Sequence, residues 1–221
     1  MRIEVVGMVY RSAAFARFLR DQLDVDDGPL FRVVANDPLA ELLTPSQWHD
    51  ATYHDPNPTD HYLARVYRCW NYCVESSAAE YVCLVNSDMA FAPGWLDALE
   101  QRLDGQTLPV SRLVEPGFIR PGQHAIEIDL GRDPRTFPFG AWNELAADLS
   151  EDRVVPGGLF MPCVLHREAF LAVGGYPHGN VGNVSGDAFL FGRMAEAGFQ
   201  HVTCFDSLVY HMQEGEMRHP E

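Results

Sequence analysis

The run YVCLVNSDMAFAPGWL, residues 81–96, starts as an apolar, β-prone segment and stops on Asn86, Ser87 and Asp88. Its first half suits a buried strand, and a carboxylate placed directly after a core strand needs a reason. Two fit. Asn86 and Asp88 can shape a turn, because short Asx side chains hydrogen-bond nearby backbone. Alternatively, Asp88 offers an oxygen ligand to a hard divalent cation. A second polar strand end, Asn36-Asp37, closes the run FRVVAN at 31–36.

The elements that must position these residues alternate between strand and helix. IEVVGMVY (3–10) reads as a strand and SAAFARFLRDQL (12–23) as an amphipathic helix with Ser12 as N-cap. FRVVAN is the second strand, followed by a helical or irregular piece to about residue 50 and a Pro- and Asx-rich loop at 54–60. Leu63, Val66, Tyr67, Trp70 and Val74 fall at helical spacing within 60–77. The strand at 81 and a helix over 93–103 complete the first half. This alternation predicts a parallel α/β sheet, whose ligands sit beyond the carboxyl ends of the strands. Both polar strand ends lie there.

The second half is less regular. A strand is expected at 107–117, no pattern emerges over 118–140, and a helix fits 141–150. VVPGGLFMPCVL (154–165) reads as one strand with an internal Gly-Gly, and REAFLAVGG (167–175) as a glycine-capped helix. GDAFLFGRMAEAGF (186–199) reads as a helix with Asp187 in its first turn, and 201–212 as a strand pair. The expected organisation is a single domain over 1–221, with halves meeting near 105 and 106.

Composition removes several function classes. The net charge of -15 disfavours binding to nucleic acid or anionic membranes. It also repels anionic substrates, which a bound cation would offset locally. All basic residues among the 16 Lys plus Arg are arginine. Without lysine there is no Schiff-base chemistry, no Walker-type phosphate loop and no kinase strand lysine. The five cysteines contain no Cys-x-x-Cys and are expected as free thiols. No apolar run approaches the roughly 20 residues of a membrane span and none resembles a signal peptide, so a soluble cytoplasmic protein is expected.

Three blocks carry a resemblance: EYVCLVNSDMAFAPGWLDAL, VPGGLFMPCVLHREAFLAVGGYP and GDAFLFGRMAEAGFQHVTCFDSLVYHMQEGE. In this order and spacing the chain resembles the family 2 inverting glycosyltransferases of the GT-A fold, over nearly its whole length. The resemblance implies a three-layer α/β/α domain with a mainly parallel central sheet. It implies transfer of a sugar from a nucleoside-diphosphate donor (UDP, GDP or TDP type) to an acceptor hydroxyl that the sequence does not identify. Two departures stand out. The family's acidic pair is reduced to Gly186-Asp187, and Ala35 stands where a base-reading aspartate is usual.

By this resemblance Asp88 and His211 hold a divalent cation, Mn²⁺ or Mg²⁺, with imidazole favouring Mn²⁺. Asp187 is the general base, able to accept the acceptor's proton; the alternative is a first-turn acid that only complements the helix dipole. Met8, Val9 and Tyr10 would form the base pocket with Asn36 and Asp37, or only pack at the strand end; Asn86 and Ser87 are further donor contacts, Asn86 alternatively holding the loop. Arg65 or Arg68 could approach the phosphates, or be solvated helix arginines. Gly157 and Gly158 would let backbone approach a sugar, or form a bulge. Trp142, Phe137 and Phe139 could stack on an acceptor or pack in the core, and Arg193 is expected to buttress Asp187. The rival functions are a degenerate nucleotide-sugar-binding or protein-interaction module and a sugar nucleotidyltransferase.

Overall fold

The computed structural model describes residues 3–10, 12–24, 28–36 and 50–213. The chain begins with β1 (Ile3–Val9), α1 (Ala13–Leu23), β2 (Leu30–Asn36) and β3 (Ala51–Tyr53). Next come α2 (Tyr62–Glu75), β4 (Tyr81–Asn86), β5 (Met89–Phe91), α3 (Trp95–Glu100) and β6 (Thr107–Glu115). The remainder is β7 (Ile126–Glu127), α4 (Phe139–Leu149), β8 (Val154–Pro156), β9 (Cys163–His166), α5 (Arg167–Ala172), α6 (Gly186–Glu196) and β10 (Gln200–His211).

One sheet runs in the order β3-β2-β1-β4-β9-β6-β10-β5, with β7 beside β6 and β8 beside β10. β1 pairs in parallel with both β2 and β4, and β6 in parallel with β10. β9 is antiparallel to β4 and β6, which leaves those two strands pointing the same way. Strands from both ends of the sequence therefore share a common carboxyl edge.

The crossover through α1 steps from β1 to one side and the crossover through α2 steps back to the other. Right-handed connections then place the two helices on opposite faces. Packing agrees. Phe15 and Phe18 of α1 share a core with Trp142 and Ala146 of α4, whereas α2 meets α5 and α6, through Tyr67 and Asp187. α1 starts where expected, Ser12 accepting a hydrogen bond from the Phe15 amide.

Two expectations are corrected. Residues 154–165 are not one strand: β8 pairs with β10, β9 lies between β4 and β6, and the Gly-Gly separates them. Both glycines adopt positive φ, +75° at Gly157 and +133° at Gly158, which ends a strand instead of continuing it. Conversely 200–211 is a single strand, not a pair, with its register against β6 shifting between Cys204 and Leu208. The 118–140 segment contributes β7 and otherwise wraps the ends of β6 and β10; Tyr210 Oη accepts from the Leu130 amide and donates to the Gly131 carbonyl.

Candidate active site

The register of three strands builds the site. Met8 at the end of β1 lies opposite Asn86 at the end of β4. After Asn86 the chain turns through Ser87 and Asp88 into β5, which pairs antiparallel with the end of β10 so that Met89 faces His211. The Met212 amide donates to the Asp88 carbonyl at 3.0 Å, locking the turn to β10. Asp88 and His211, separated by more than a hundred residues in sequence, thus become neighbours, with Asp88 Oδ1 3.6 Å from His211 Nε2.

A cavity of about 390 Å³ opens at this edge. Strand ends and the turn supply Met8, Tyr10, Asn86, Ser87, Asp88 and His211; α2 supplies Tyr62, Leu63, Val66, Tyr67 and Trp70; Met161 and Asp187 complete the wall. A larger cavity of about 800 Å³, lined by residues such as Ile3, Gln22 and Trp95, includes Phe139 but none of the residues expected to hold the cation, the donor or the transferred proton.

Asp187 sits in the first turn of α6, whose N-cap Ser185 accepts from the Ala188 amide. Tyr67 Oη donates to Asp187 Oδ2 at 2.9 Å. Burial raises the Asp187 carboxyl above its ordinary value and the Tyr67 hydrogen bond only partly opposes it. The Tyr67 hydroxyl is itself raised by burial and by the adjacent Asp187 charge, so it remains a neutral donor.

His211 Nδ1 lies 2.9 Å from Glu115 Oε1, while Glu115 Oε2 accepts from the Gly122 amide at 3.3 Å. Glu115 is buried, and both its carboxylate oxygens are engaged. Burial pulls the His211 imidazole down, but the Asp88 charge and the Glu115 hydrogen bond and charge outweigh it, giving a net upward shift.

Among the described residues no group of three or more His, Cys, Asp or Glu side chains could hold a metal ion. The Asp88–His211 pair nevertheless has the spacing of two ligands to one cation. Ligands each about 2.1 Å from one ion lie between about 3 and 4.2 Å apart, and the observed 3.6 Å falls inside that window. A Glu115 acceptor on Nδ1 leaves Nε2 as the nitrogen that could meet a cation, as around metal-bound histidines in general.

The other expected residues divide. Tyr10, Met8, Asn86 and Ser87 line the cavity, and Arg65 reaches its wall indirectly, Nη1 donating to Tyr10 Oη at 2.9 Å. Val9 is fully buried and outside the lining. Asn36 is fully buried, its Nδ2 directed at Met8 Sδ and its Oδ1 without a partner among the described residues. Asp37 lies outside the described residues. Arg68 does not line the cavity; it pairs with Asp55 at 2.8 Å and Asp60 at 2.9 Å. Gly157 and Gly158 pack on β10, where a Cβ at 158 would overlap Thr203 Oγ1, and do not line the cavity. Trp142 is fully buried on the α1 face beside Phe137 and offers no surface to an acceptor. Phe139 stacks on Phe18, with ring centroids 5.4 Å apart. No bond links Arg193 to Asp187 among the described residues; Tyr67 occupies that role.

Sequence reasoning missed Glu115, Tyr62 and Tyr67. Tyr67 and its neighbours gave the helical spacing that also marks a core stripe, and the N-terminal part of that stripe walls a cavity instead. For Glu115 the available signal was a lone acid ending an apolar strand, the same signal that singled out Asp88.

No protein-family model matches the sequence, nor does any curated protein. Solved structures do share the fold. A crystal structure of GalNAc-T7 with UDP, GalNAc and Mn²⁺ superposes with a TM-score of 0.60 at 11% identity, covering 96% of this chain and 44% of that one. The mannosyltransferase PcManGT from Pyrobaculum calidifontis, in complex with GDP-Man and Mn²⁺, gives 0.57 at 15% identity, covering 95% and 56%. S. aureus TarS 1-349 in complex with UDP-GlcNAc gives 0.59 at 11%, covering 96% and 59%. The chain thus has the GT-A fold and spans 44% to 59% of the length of these structures.

Proposed function

We propose that this chain is a divalent-cation-dependent, inverting glycosyltransferase using a nucleoside-diphosphate sugar. The observation that carries the reading is the convergence of Asp88, His211 and Asp187 on one cavity at the carboxyl edge of β1 and β4. Neighbours of the same fold bind UDP, GDP-Man or UDP-GlcNAc, two of them with Mn²⁺, and this supports the donor class.

A cation held by Asp88 and His211 would neutralise the leaving diphosphate, a need made sharper by the net charge of -15 and the absence of lysine. Imidazole in the ligand set favours Mn²⁺ over Mg²⁺. Met8 and Tyr10 form the side on which a base would sit, with the buried Asn36 behind Met8 and Arg65 fixing the Tyr10 hydroxyl. Asp187, as a carboxylate, takes the proton of the acceptor hydroxyl as that oxygen attacks the anomeric carbon. The bond to the diphosphate breaks on the opposite side, and the anomeric configuration inverts.

Thermal shift with UDP, GDP, TDP and CMP, with and without Mn²⁺, tests the reading, because a ligand specific for the native state must raise its stability. One nucleoside diphosphate should stabilise the protein in Mn²⁺ and lose its effect in EDTA. The matching sugar donor should release that diphosphate with the same metal dependence. No stabilisation and no release with any donor would leave a non-catalytic interaction module as the better description.

A further inference from the structure

Asp187 follows a glycine, and the structure shows what the missing side chain makes room for. A Cβ on Gly186 would overlap Tyr67 Cε2, with Cζ and Cδ2 of the same ring next nearest. The Tyr67 ring also stacks on Tyr176, at 4° with centroids 4.9 Å apart. Tyr176 is in turn held by Asn71, which accepts from its amide and donates to its carbonyl. These contacts restrict the ring, and from its position the hydroxyl reaches Asp187 Oδ2 at 2.9 Å. No other side chain hydrogen-bonds this carboxylate among the described residues.

We infer that Tyr67 is the positioning residue of the base: its ring takes the space that Gly186 leaves open, and its hydroxyl fixes one oxygen of Asp187 so that the other meets the acceptor hydroxyl. This rests on the transferase reading above. An aspartate on the first turn of a helix has more than one rotamer open to it, and general-base catalysis requires it within hydrogen-bond reach of the proton it takes. Fixing one oxygen removes that freedom, while the neutral phenol does not compete for the proton.

The groups facing Asp187 are Tyr67 from α2, Tyr176 beyond α5 and Cys163 of β9, with Asp88 and His211 sharing the same cavity. Tyr176 and Cys163 are themselves held protonated chiefly by burial. Tyr67 is thus the neighbour whose hydrogen bond favours the charged carboxylate.

The test compares wild type, Tyr67→Phe and Gly186→Ala. Each protein, carrying ¹³C-carboxyl aspartate, is titrated by NMR without substrate, with the Asp187 resonance assigned by its loss in Asp187→Asn. The same proteins are assayed for transfer across pH. Tyr67→Phe keeps the ring stack and removes the hydroxyl. Asp187 should then titrate at higher pH, the acid limb of kcat should move with it, and kcat at neutral pH should fall about tenfold, a part of the ~10²–10⁴ a positioned base contributes. Donor KM should stay unchanged. Gly186→Ala, by displacing the ring, should shift both readouts the same way. An Asp187 titration unchanged in Tyr67→Phe, or a loss of kcat with no movement of the acid limb, overturns the inference and makes Tyr67 a packing residue. If wild type shows no transfer with any donor while the NMR titration still shifts, the hydrogen bond stands and the transferase reading is what fails.

Discussion

Glu115 holds His211 by a 2.9 Å hydrogen bond between Oε1 and Nδ1, on the ring nitrogen opposite the one 3.6 Å from Asp88. Because Glu115 ends β6 and His211 ends β10, the parallel pairing of those strands sets the contact. Its effect is to orient the imidazole and fix which nitrogen faces the carboxylate.

Substituting Glu115→Gln should keep the shape of that contact and remove its charge. Outer partners of metal-bound histidine typically contribute 10- to 100-fold in metal affinity. Calorimetric titration with Mn²⁺ in saturating nucleoside diphosphate should therefore show a loss of that order. Asp88→Asn and His211→Ala, which remove ligands outright, should lose more. An unchanged affinity in Glu115→Gln would make Glu115 a packing residue only.

Replacing Asp187 by Asn should cut transfer by about 10²- to 10⁴-fold while leaving Mn²⁺-dependent binding of the nucleoside diphosphate near wild type, since Asp187 is not part of the cation pair. In the wild type, burial raises the Asp187 carboxyl and the Tyr67 hydrogen bond offsets this only in part. The active form is the carboxylate, so turnover should fall as pH drops through that raised value, above the ordinary carboxylate value of about 3.9. A pH-rate profile checks the sign; a rate still flat at the ordinary carboxylate value contradicts the assignment.

Much of this architecture was legible in the sequence for identifiable reasons. The alternation of apolar strand and amphipathic helix through residue 100 gave the parallel half of the sheet and its polar edge, where Asn86 and Asp88 stand. What could not be read was whatever depends on contacts distant in sequence. Trp142 could be read as stacking on a sugar or packing in the core, because nothing local reveals that it packs against Tyr210 in a cluster shared with Phe15. Arg68 looked free to meet phosphate because the carboxylates that hold it lie in the loop before α2. Tyr67 was not singled out, because a cavity wall and a core face have the same helical period.

Arg68 supplies a further prediction. The Asp55 side chain is fully buried and its carboxylate receives Nε and Nη2 of Arg68. Removing one member of a buried pair strands the other charge, at a cost of about 3–5 kcal/mol. Arg68→Met should destabilise the protein by that order in urea unfolding, and adding Asp55→Asn should recover part of the loss. Donor KM, measured where the protein is folded, should not change; a selective rise in KM would restore Arg68 to the phosphate site.

Trp142 gives the opposite test to a sugar-stacking residue. Its ring is fully buried against Tyr210, centroids 5.9 Å apart, and its Nε1 has no hydrogen-bond partner among the described residues. Trp142→Ala empties a large core volume and should cost about 3–5 kcal/mol. Trp142→Phe retains much of the aromatic contact and deletes an orphaned donor, whose burial itself costs about 1–3 kcal/mol. The Phe variant should therefore be clearly more stable than the Ala variant. Because the ring lies on the α1 face, away from the α2-lined cavity, the Phe variant should also transfer with unchanged acceptor KM. Denaturant midpoints for both variants, with acceptor kinetics for Trp142→Phe, separate the alternatives. A raised acceptor KM at wild-type stability would place Trp142 at the substrate instead of in the core.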